Sequence, residues 1–531
     1  MEAIRWSPSV ALVDPQQEWR LWTASHTRQV EQASRALESE ESLMQRAGSS
    51  VARWLIALAP AARRVHVWAG PGGNGGDGLY AAALLRQHGL QVQVTLCQEP
   101  PTPGPTSGPW VPAKALELPL KAAQDSGASI TQGEAAISRI SSNDIRADVV
   151  LDALLGIGAS RPPAGLMAQA IRAINDQDAP VLSIDLPTGL NGNTGALLAA
   201  QAVRATHTLS LLTLKPGLFT GLGRQQAGQV WLDTLGHEAL WPTDCPTRLT
   251  GWPQAREACR ARLHQDHKGT FGDALILGGA TGMVGAAQLA AQACLAAGPG
   301  RTFLWLLDPA SASGLLPRPE ILTLPPGWKP GTGFLQNRTV ICGCGAGAAV
   351  QPALPEVLHT SARLVLDADA LNEVAQDRSL GQALRRRASR GLPTVLTPHP
   401  LEAARLLDCS TESVQSDRLQ AAQTLAQKFC CTVVLKGSGT VTHDGQTAYI
   451  NPTGGPSLAT GGTGDVLAGW LGGLWAQWPA SSEASGETSR ATRVAAGAAW
   501  WHGHAADVLG SRPVRGLELI ESLRTTAESA A

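Results

Sequence analysis

Asn451-Pro-Thr-Gly-Gly-Pro-Ser-Leu-Ala-Thr-Gly-Gly-Thr-Gly-Asp465, continuing into Val466-Leu467-Ala468-Gly469-Trp470, is the stretch from which the fold is read. A strand end feeds a glycine-rich turn that opens a helix, so backbone N–H groups form an anion nest at a helix N-terminus with a single acid beside it. That arrangement fits phosphoryl transfer: Asp465 takes the proton of an attacking hydroxyl while the N–H groups hold the developing negative charge. The plainer reading of the same residues is a flexible turn with Asp465 as the helix N-cap. Outward from this run the same theme recurs, a short β-branched run, then glycines, then an Ala/Leu-rich helix, which is the signature of parallel βαβ units. The chain is therefore read as α/β with two separate parallel-sheet domains, and ligands are expected at the carboxyl ends of strands.

Three further strand ends in the second half carry chemistry. Val433-Val434-Leu435-Lys436-Gly437-Ser438-Gly439-Thr440 is a buried-strand pattern ending in a small polar turn, whose lysine reaches phosphate as a point charge or stands solvated on a hairpin. Thr397-Pro398-His399-Pro400-Leu401-Glu402 follows a strand at 394–396 and sets His399 at a carboxyl edge. Leu366-Asp367-Ala368-Asp369 puts two acids at another strand end, which could position a Mg–nucleotide or cap the next helix. In the first half, Val65-His66-Val67-Trp68 runs into Gly70-Pro71-Gly72-Gly73-Asn74-Gly75-Gly76-Asp77-Gly78, which as a generic glycine-rich loop is weak evidence. The ribose-reading acid of a dinucleotide fold, expected about 20 residues on, is not convincing, since Glu99 lies in a Pro-rich loop. Two more strand-end segments sharpen the first half, Val149 to Gly158 and Ser183 to Gly192, whose carboxylate, amide and hydroxyl oxygens could coordinate a hard cation and face a charged ligand.

Composition bounds these readings. The 531 residues predict two to four compact units. Lys and Arg number 42 against 43 Asp and Glu, a net charge of −1, so nothing global steers the chain toward nucleic acid or anionic lipid. Any anionic ligand must be held by local chemistry. Charged residues are 16% against the roughly 25% of ordinary domains, and apolar residues 44%, which excludes a wholly disordered chain. Residues 1–19 show no signal-peptide pattern and no apolar run of about 18 residues occurs, so a soluble, cytoplasmic protein is expected. The nine cysteines, an odd number with neither C-x-x-C pairs nor nearby histidine partners, are expected as buried free thiols. Residues 98–112 and 479–487 read as surface loops, and 235–261, with Trp-Pro, Asp-Cys-Pro and Gly-Trp-Pro turns, as a connector.

Taken in order, His267 to Gly272, the Gly278 to Ala287 segment, the Asp367 block, Thr397 to Glu402, Lys436 to Thr440 and Asn451 to Gly469 resemble the ribokinase-like dehydratases that repair hydrated NAD(P)H, over nearly all of residues 267–509. The resemblance implies that Lys436, Gly437, Ser438, Gly439, Thr440 and Gly464 contact the AMP part of the nucleotide. Ala286, the turn containing Gly345 and Gly347, His399 and Asp465 would line the hydrate pocket. That family usually has Pro and Leu where this chain has Cys344 and Ala346.

The first half resembles the NAD(P)H-hydrate epimerase domain over residues 24–234, whose pattern is Asn-Asn-Gly-Gly-Asp. The resemblance implies substrate contacts at Asn74, Gly75, Gly76, Asp77, Gly156, Ile157, Gly158, Ala159, Ser160, Arg161, Pro162 and Asp185, and K⁺ held by Asn74, Asp152 and Thr188. Gly73 stands where the family has its first Asn. Lys215 also fits the family, although a solvated lysine before a turn is the plainer reading. The fold class expected is an N-terminal Rossmann-like three-layer α/β/α domain (1–235), a connector (236–260) and a C-terminal ribokinase-like α/β domain (261–531). Such a protein would epimerise the R and S forms of NADHX and NADPHX and dehydrate the S form at the expense of ADP with Mg²⁺, as a homo-oligomer. Two rivals stand beside it, a ribokinase-fold kinase for a small alcohol and a catalytically silent first half acting as a binding or scaffold module.

Overall fold

The computed structural model describes residues 10–98, 113–133, 146–159, 161–308, 318–325, 327–328, 332–479 and 484–528. Ser160, residues 99–112 of the expected loop and residues 480–483 of the Ser/Ala/Glu tract lie outside them. The chain divides into two compact units, residues 1–13 with 20–245, and residues 14–19 with 246–531.

In the first unit, eight strands lie side by side in the order Val10–Leu12, Gln229–Asp233, His207–Leu211, Val181–Ile184, Val149–Ala153, Arg64–Ala69, Gln91–Leu96, Ser129–Gln132. Every neighbouring pair is parallel except Val10–Leu12 with Gln229–Asp233. The central strands are buried along their length, as strands covered by helices on both faces must be, which explains their unbroken Val/Leu character. The chain leaves Arg64–Ala69 toward one edge and returns at Val149–Ala153 to build the other. The crevice outside the carboxyl ends of these two strands is the topological switch point, where a doubly wound sheet binds ligand.

Ten strands from the second unit lie in one sheet in the order Ile321–Thr323, Arg301–Leu306, Asp273–Gly278, Thr339–Cys342, Arg363–Leu366, Thr394–Leu396, Thr432–Leu435, Val441–His443, Ala448–Ile450, Thr247–Leu249, and Trp19–Leu21 follows as the eleventh. The pairings among these ten strands are parallel apart from the two made by Val441–His443. The helix Thr463–Ala476 is apolar on all sides and buried from Val466 to Ala476, as a helix lying between other layers requires. A Cβ at Gly469 would stand 2.0 Å from the Ala290 carbonyl oxygen, so only glycine lets this helix lie against Val284–Ala297. The Asp465 end of the helix is thereby held against Val284–Ala297.

Several elements differ from the sequence reading. Residues 236–260 contain the strand Thr247–Leu249 and the helix Trp252–Ala258, and from Pro246 onward they pack with the second unit. Ala255 and Ala258 are buried, and Trp501 Nε1 donates to the Ala255 carbonyl at 2.7 Å, so a short amphipathic helix hid among turn-rich residues. The tract read as a loop at 479–487 enters a helix at Ala484. Glu487 within it is buried and paired with Arg363 at 2.7 Å. Cys409 and Cys430 are exposed, against the expectation of buried thiols, because both follow helix C-termini where the chain turns at the surface. Among the described residues no helix is long and apolar enough to cross a membrane.

Candidate active sites

In the first unit, three consecutive strand ends converge. After Arg64–Ala69 the chain turns through Gly70 to Gly72 into the helix Gly73–Gln87, and a Cβ at Gly75 would stand 1.9 Å from the Gly70 carbonyl oxygen. Asn74 and Asp77 on its first turns line a cavity of about 510 Å³ together with Gly156, Ile157, Asp185 and Glu31. Asp185, just past Val181–Ile184, has φ of 66°, a left-handed conformation that a non-glycine residue holds only when its surroundings impose it. Those surroundings are explicit. Lys215 is fully buried and ion-paired with Asp185 Oδ1, and it also donates to Ser210 Oγ at 3.2 Å and the Leu211 carbonyl at 2.8 Å. Asp185 Oδ2 accepts the Ile157 N–H at 2.9 Å.

Burial, with the Asp185 and Glu31 carboxylates nearby, holds the Asp77 carboxyl well above its ordinary range. Burial pulls Lys215 down while Asp185 opposes it. A carboxyl that keeps its proton beside a lysine–aspartate pair is equipment for moving protons.

Asp152 is buried with both oxygens occupied. Oδ1 accepts Thr188 Oγ1–H at 2.7 Å and Leu154 N–H at 3.2 Å, while Oδ2 accepts Ser183 Oγ–H at 2.8 Å and Thr188 N–H at 2.9 Å. Burial raises its pKa and these hydrogen bonds pull the other way. Thr188 Oγ1 lies 3.3 Å from the Leu155 carbonyl, and Asn74 Nδ2 is buried with no protein partner. A Cβ placed on Gly156 would meet Asp185 Oδ2 at 2.8 Å and Asn74 Oδ1 at 3.4 Å, so those two side chains face one another across it. Carboxylate, hydroxyl, carbonyl and amide oxygens make a donor set that suits a hard, weakly charged cation and not a soft metal.

In the second unit, the turn after Thr339–Cys342 is left-handed at Gly343, Gly345 and Gly347, with φ of 123°, 56° and 50°. A Cβ at Gly345 would meet the Met283 carbonyl at 2.5 Å and Ala286 Cβ at 2.8 Å, so the turn packs onto the start of Val284–Ala297 and sets Ala286 beside it. Gly347 N–H donates to Asp369 Oδ2 at 2.8 Å. Asp367 Oδ1 accepts from both Lys436 Nζ and Thr397 Oγ1 at 2.7 Å. Glu402 Oε2 stands 4.0 Å from Lys436 Nζ, and a Cβ on Gly464 would lie 3.5 Å from the same nitrogen. The lysine thus stands at the N-terminus of the helix that carries Asp465.

Burial first, and Asp367 next, push Asp465 up to about 6, with a Cys344 hydrogen bond and Lys436 pulling down. Glu402, pushed up to about 7 mainly by burial, accepts the His399 N–H at 2.7 Å, and His399 Nδ1 accepts the Leu401 and Glu402 N–H groups, a reciprocal cap that orients the ring. Burial and Lys436 lower the His399 pKa, which keeps the imidazole neutral. A base near 6 at a helix N-terminus, with a cation and neutral donors around it, can take a proton from a hydroxyl and hold phosphoryl charge.

Not every expected residue meets its cluster. Arg161 and Pro162 are exposed and do not line the first cavity. Gly437 and Gly439 are left-handed in the turn after Thr432–Leu435, with Thr440 Oγ1 donating to the Gly437 carbonyl at 3.1 Å. Lys215, which fits the family's pattern although a solvated lysine before a turn is the plainer reading of the sequence, is the buried partner of Asp185. The sequence reading also missed Arg418, which is buried and donates to the Leu435 and Lys436 carbonyls at 3.0 and 3.1 Å, bracing that turn from below. Glu31 was missed because it lies on the helix Ala24–Ser34, outside any strand end. Its signal would have been a lone acid on a helix that otherwise shows no acid in its first turn.

Residues 274–526 match the family described as NAD(P)H-hydrate dehydratase, and residues 40–217 match the YjeF-related protein N-terminus. The chain is 35% identical to a bifunctional NAD(P)H-hydrate repair enzyme of Leishmania braziliensis, over 94% of this chain and 92% of that protein. It is 34% identical to the bifunctional repair enzyme Nnr of Escherichia coli K12, over 88% of this chain and 85% of that one. An ADP/ATP-dependent NAD(P)H-hydrate dehydratase of Bacillus subtilis, crystallised with ATP and Mg²⁺, aligns over 52% of this chain and 96% of its own at 27% identity, with a TM-score of 0.43.

Proposed function

Because the chain belongs to the bifunctional NAD(P)H-hydrate repair enzymes, we propose a residue-level division of labour in which the first unit epimerises the hydrates and the second dehydrates the S form. The observation that carries it is the pairing, in one chain, of a proton-moving cleft at the Asp185–Lys215 pair with a base near 6 at the Asp465 helix terminus. Alignment with repair enzymes across 94% of the chain favours this over a small-alcohol kinase joined to a silent module.

In the second unit, Asp465 takes the proton of the hydrate's hydroxyl as its oxygen attacks the terminal phosphoryl group of ADP, leaving AMP. The ring nitrogen's lone pair then expels phosphate from the hydroxyl-bearing carbon, and loss of a proton from the neighbouring carbon restores the double bond. Lys436, Gly437, Ser438, Gly439, Thr440 and Gly464 receive the nucleotide, and Ala286, Gly345, Gly347 and His399 receive the hydrate. Mg²⁺ arriving with ADP would neutralise its phosphates. In the first unit, Asn74, Asp77, Gly156 to Ala159 and Asp185, which line the cavity, hold the hydrate. Asp77 gives a proton to the departing hydroxyl, and Asp185 takes one from the water that re-adds on the other face. K⁺ held by Asn74, Asp152 and Thr188 would supply positive charge for the substrate's phosphates, a role the oxygen donor set supports.

The same reading makes the protein a cytoplasmic homo-oligomer acting on small molecules and neither nucleic acid nor membrane. A net charge of −1 supports the last point. The test is to give the purified protein mixed R and S hydrates with ADP or ATP and follow the return of reduced-nicotinamide absorbance. No return with either nucleotide overturns the assignment.

A further inference from the structure

The first unit's cavity has a charge pattern at odds with the ligand proposed for it. Glu31, Glu40, Asp77 and Asp185 line it, and among the described residues of its wall Arg28 is the only basic one. A hydrated dinucleotide brings at least two negative phosphates to that wall of carboxyl groups. Lys215 does not answer them, because it is fully buried and paired with Asp185.

Arg28 is placed by its helix. In Ala24–Ser34 the Ala24 N–H donates to Asn193 Oδ1 at 2.7 Å, and Thr27 is buried with its hydroxyl 2.7 Å from that of Thr213. The next residue, Arg28, therefore stands exposed at the cavity wall, where Nη2 donates to the Ile157 carbonyl at 3.0 Å. The N–H of the same Ile157 is held by Asp185 Oδ2 at 2.9 Å. A single residue of backbone thus separates the guanidinium from the Asp185 carboxylate, a span of about 10 Å or less. A ribose 5′-phosphate bridges such a span, with the nicotinamide ring at Asp185 and the phosphate at Arg28.

The guanidinium is also uncommitted. Glu31, three residues on, pairs with Arg35 at 3.0 Å, and among the described residues Arg28 forms no ion pair. One N–H is taken by Ile157, and the rest of the fork is open to an anion. We propose that Arg28 binds the phosphate on the nicotinamide side of the hydrate and so sets the ring against Asp77 and Asp185. This rests on the first unit being the epimerase. The phosphate concerned is common to both hydrates, so Arg28 does not discriminate NADPHX from NADHX. Arg161 is the rival for the same phosphate, but it is exposed and does not line the cavity.

The experiment measures R-hydrate epimerisation above a protein-free blank for the full chain, Arg28→Gln, Arg28→Lys and Arg161→Gln, with NADHX and NADPHX in turn. A hydrogen bond to a charged group corresponds to about 10- to 100-fold in binding, so Arg28→Gln is expected to raise KM by that factor for both hydrates and to lower kcat far less. Arg28→Lys, which keeps the charge and loses the fork, is expected to fall between. An unchanged KM in Arg28→Gln, a rise confined to NADPHX, or a larger rise in Arg161→Gln overturns the proposal. Calorimetry of the full chain with nicotinamide mononucleotide and nicotinamide riboside, which differ by that one phosphate, separates this outcome from the epimerase assignment. Wild type is expected to bind the mononucleotide about tenfold or more tightly than the riboside, and Arg28→Gln to lose that preference. A preference absent from wild type, or unchanged in Arg28→Gln, overturns the proposal. A wild type that does not epimerise overturns the assignment of the unit and leaves the calorimetric readout standing.

Discussion

Lys436 Nζ meets Asp367 Oδ1 at 2.7 Å, across 69 residues of sequence, with both side chains mostly buried. Asp367 has one other donor on that oxygen, Thr397, and lies beside Asp465. Replacing the lysine leaves a buried carboxylate without its counter-charge, which costs about 3 kcal/mol when one partner of a buried pair is removed. Lys436→Met is therefore expected to lower the urea midpoint substantially and to raise the Asp465 pKa, while Lys436→Arg retains stability. A Lys436→Met protein as stable as wild type would show that the ion pair contributes nothing.

Asp465→Asn is expected to remove dehydration by about 10²- to 10⁴-fold. Its stability should move the other way. The folded pKa of about 6 is above the ordinary 3.8, so below about pH 3 the group is neutral in both states, and its penalty on the folded state appears as pH rises from about 3 to 6. At pH 7 the variant should be more stable than wild type by on the order of 2 kcal/mol, and at about pH 3 by almost nothing. Denaturant midpoints at the two pH values check this. An equal difference at both would mean that the stabilisation does not come from ionisation.

Lys215→Met strands Asp185 in the first unit's cavity, and is expected to abolish epimerase acceleration and destabilise that unit by about 3 kcal/mol. Lys215→Met with Asp185→Asn removes the stranded charge as well. The double variant should recover most of the stability and none of the activity. Recovery of activity would place the proton chemistry elsewhere.

The two units are proposed to work separately, and the boundary matters. A fragment of residues 246–531 keeps Thr247–Leu249 and the Trp252–Ala258 helix, whose Trp252 packs edge-on to Trp500 and Trp501 at centroid distances of 5.7 and 5.4 Å. It is expected to dehydrate S hydrate without epimerising R. A fragment starting at 261 loses that helix, and its melting temperature should fall well below that of the longer one.

What the sequence made legible follows from where chemistry sits in a parallel sheet. Runs such as Val65 to Trp68 and Val433 to Leu435 could only be strands buried on both faces, so the glycines and acids after them fell at the carboxyl edge. Partnership was not legible, because it is set by which strand ends become neighbours. Nothing near Lys215 in sequence announces Asp185, and Lys436 gives no hint of Asp367. Cys344 read as one more buried thiol because the two carboxylates beside it, Asp367 and Asp465, lie 23 and 121 residues away in the chain. Short elements failed for another reason: Thr247–Leu249 is too brief to show a period, and its place is fixed by pairing with Ala448–Ile450.

Gly73 is where the first unit departs from the pattern it otherwise follows. It is the first residue of the helix Gly73–Gln87, it lines the cavity, and a Cβ there would meet nothing within 4 Å. A side chain can therefore start there without its Cβ displacing anything. That of asparagine would offer a carbonyl and an amide at the mouth of the cavity, where glycine offers backbone alone. The proposed cation oxygens at Asn74, Asp152 and Thr188 do not involve position 73, so K⁺ dependence should be the same in both proteins. Substrate placement is what changes, and a hydrogen bond to a charged group contributes about 1.5 to 3 kcal/mol. The native protein is expected to be a slow but real epimerase, and Gly73→Asn to be roughly tenfold or more faster by that energy. Because the hydrate also epimerises unaided, the measurement is R-hydrate loss above a protein-free blank, with excess dehydratase removing the S form. A native rate equal to the blank that Gly73→Asn does not lift would make the first unit a silent module.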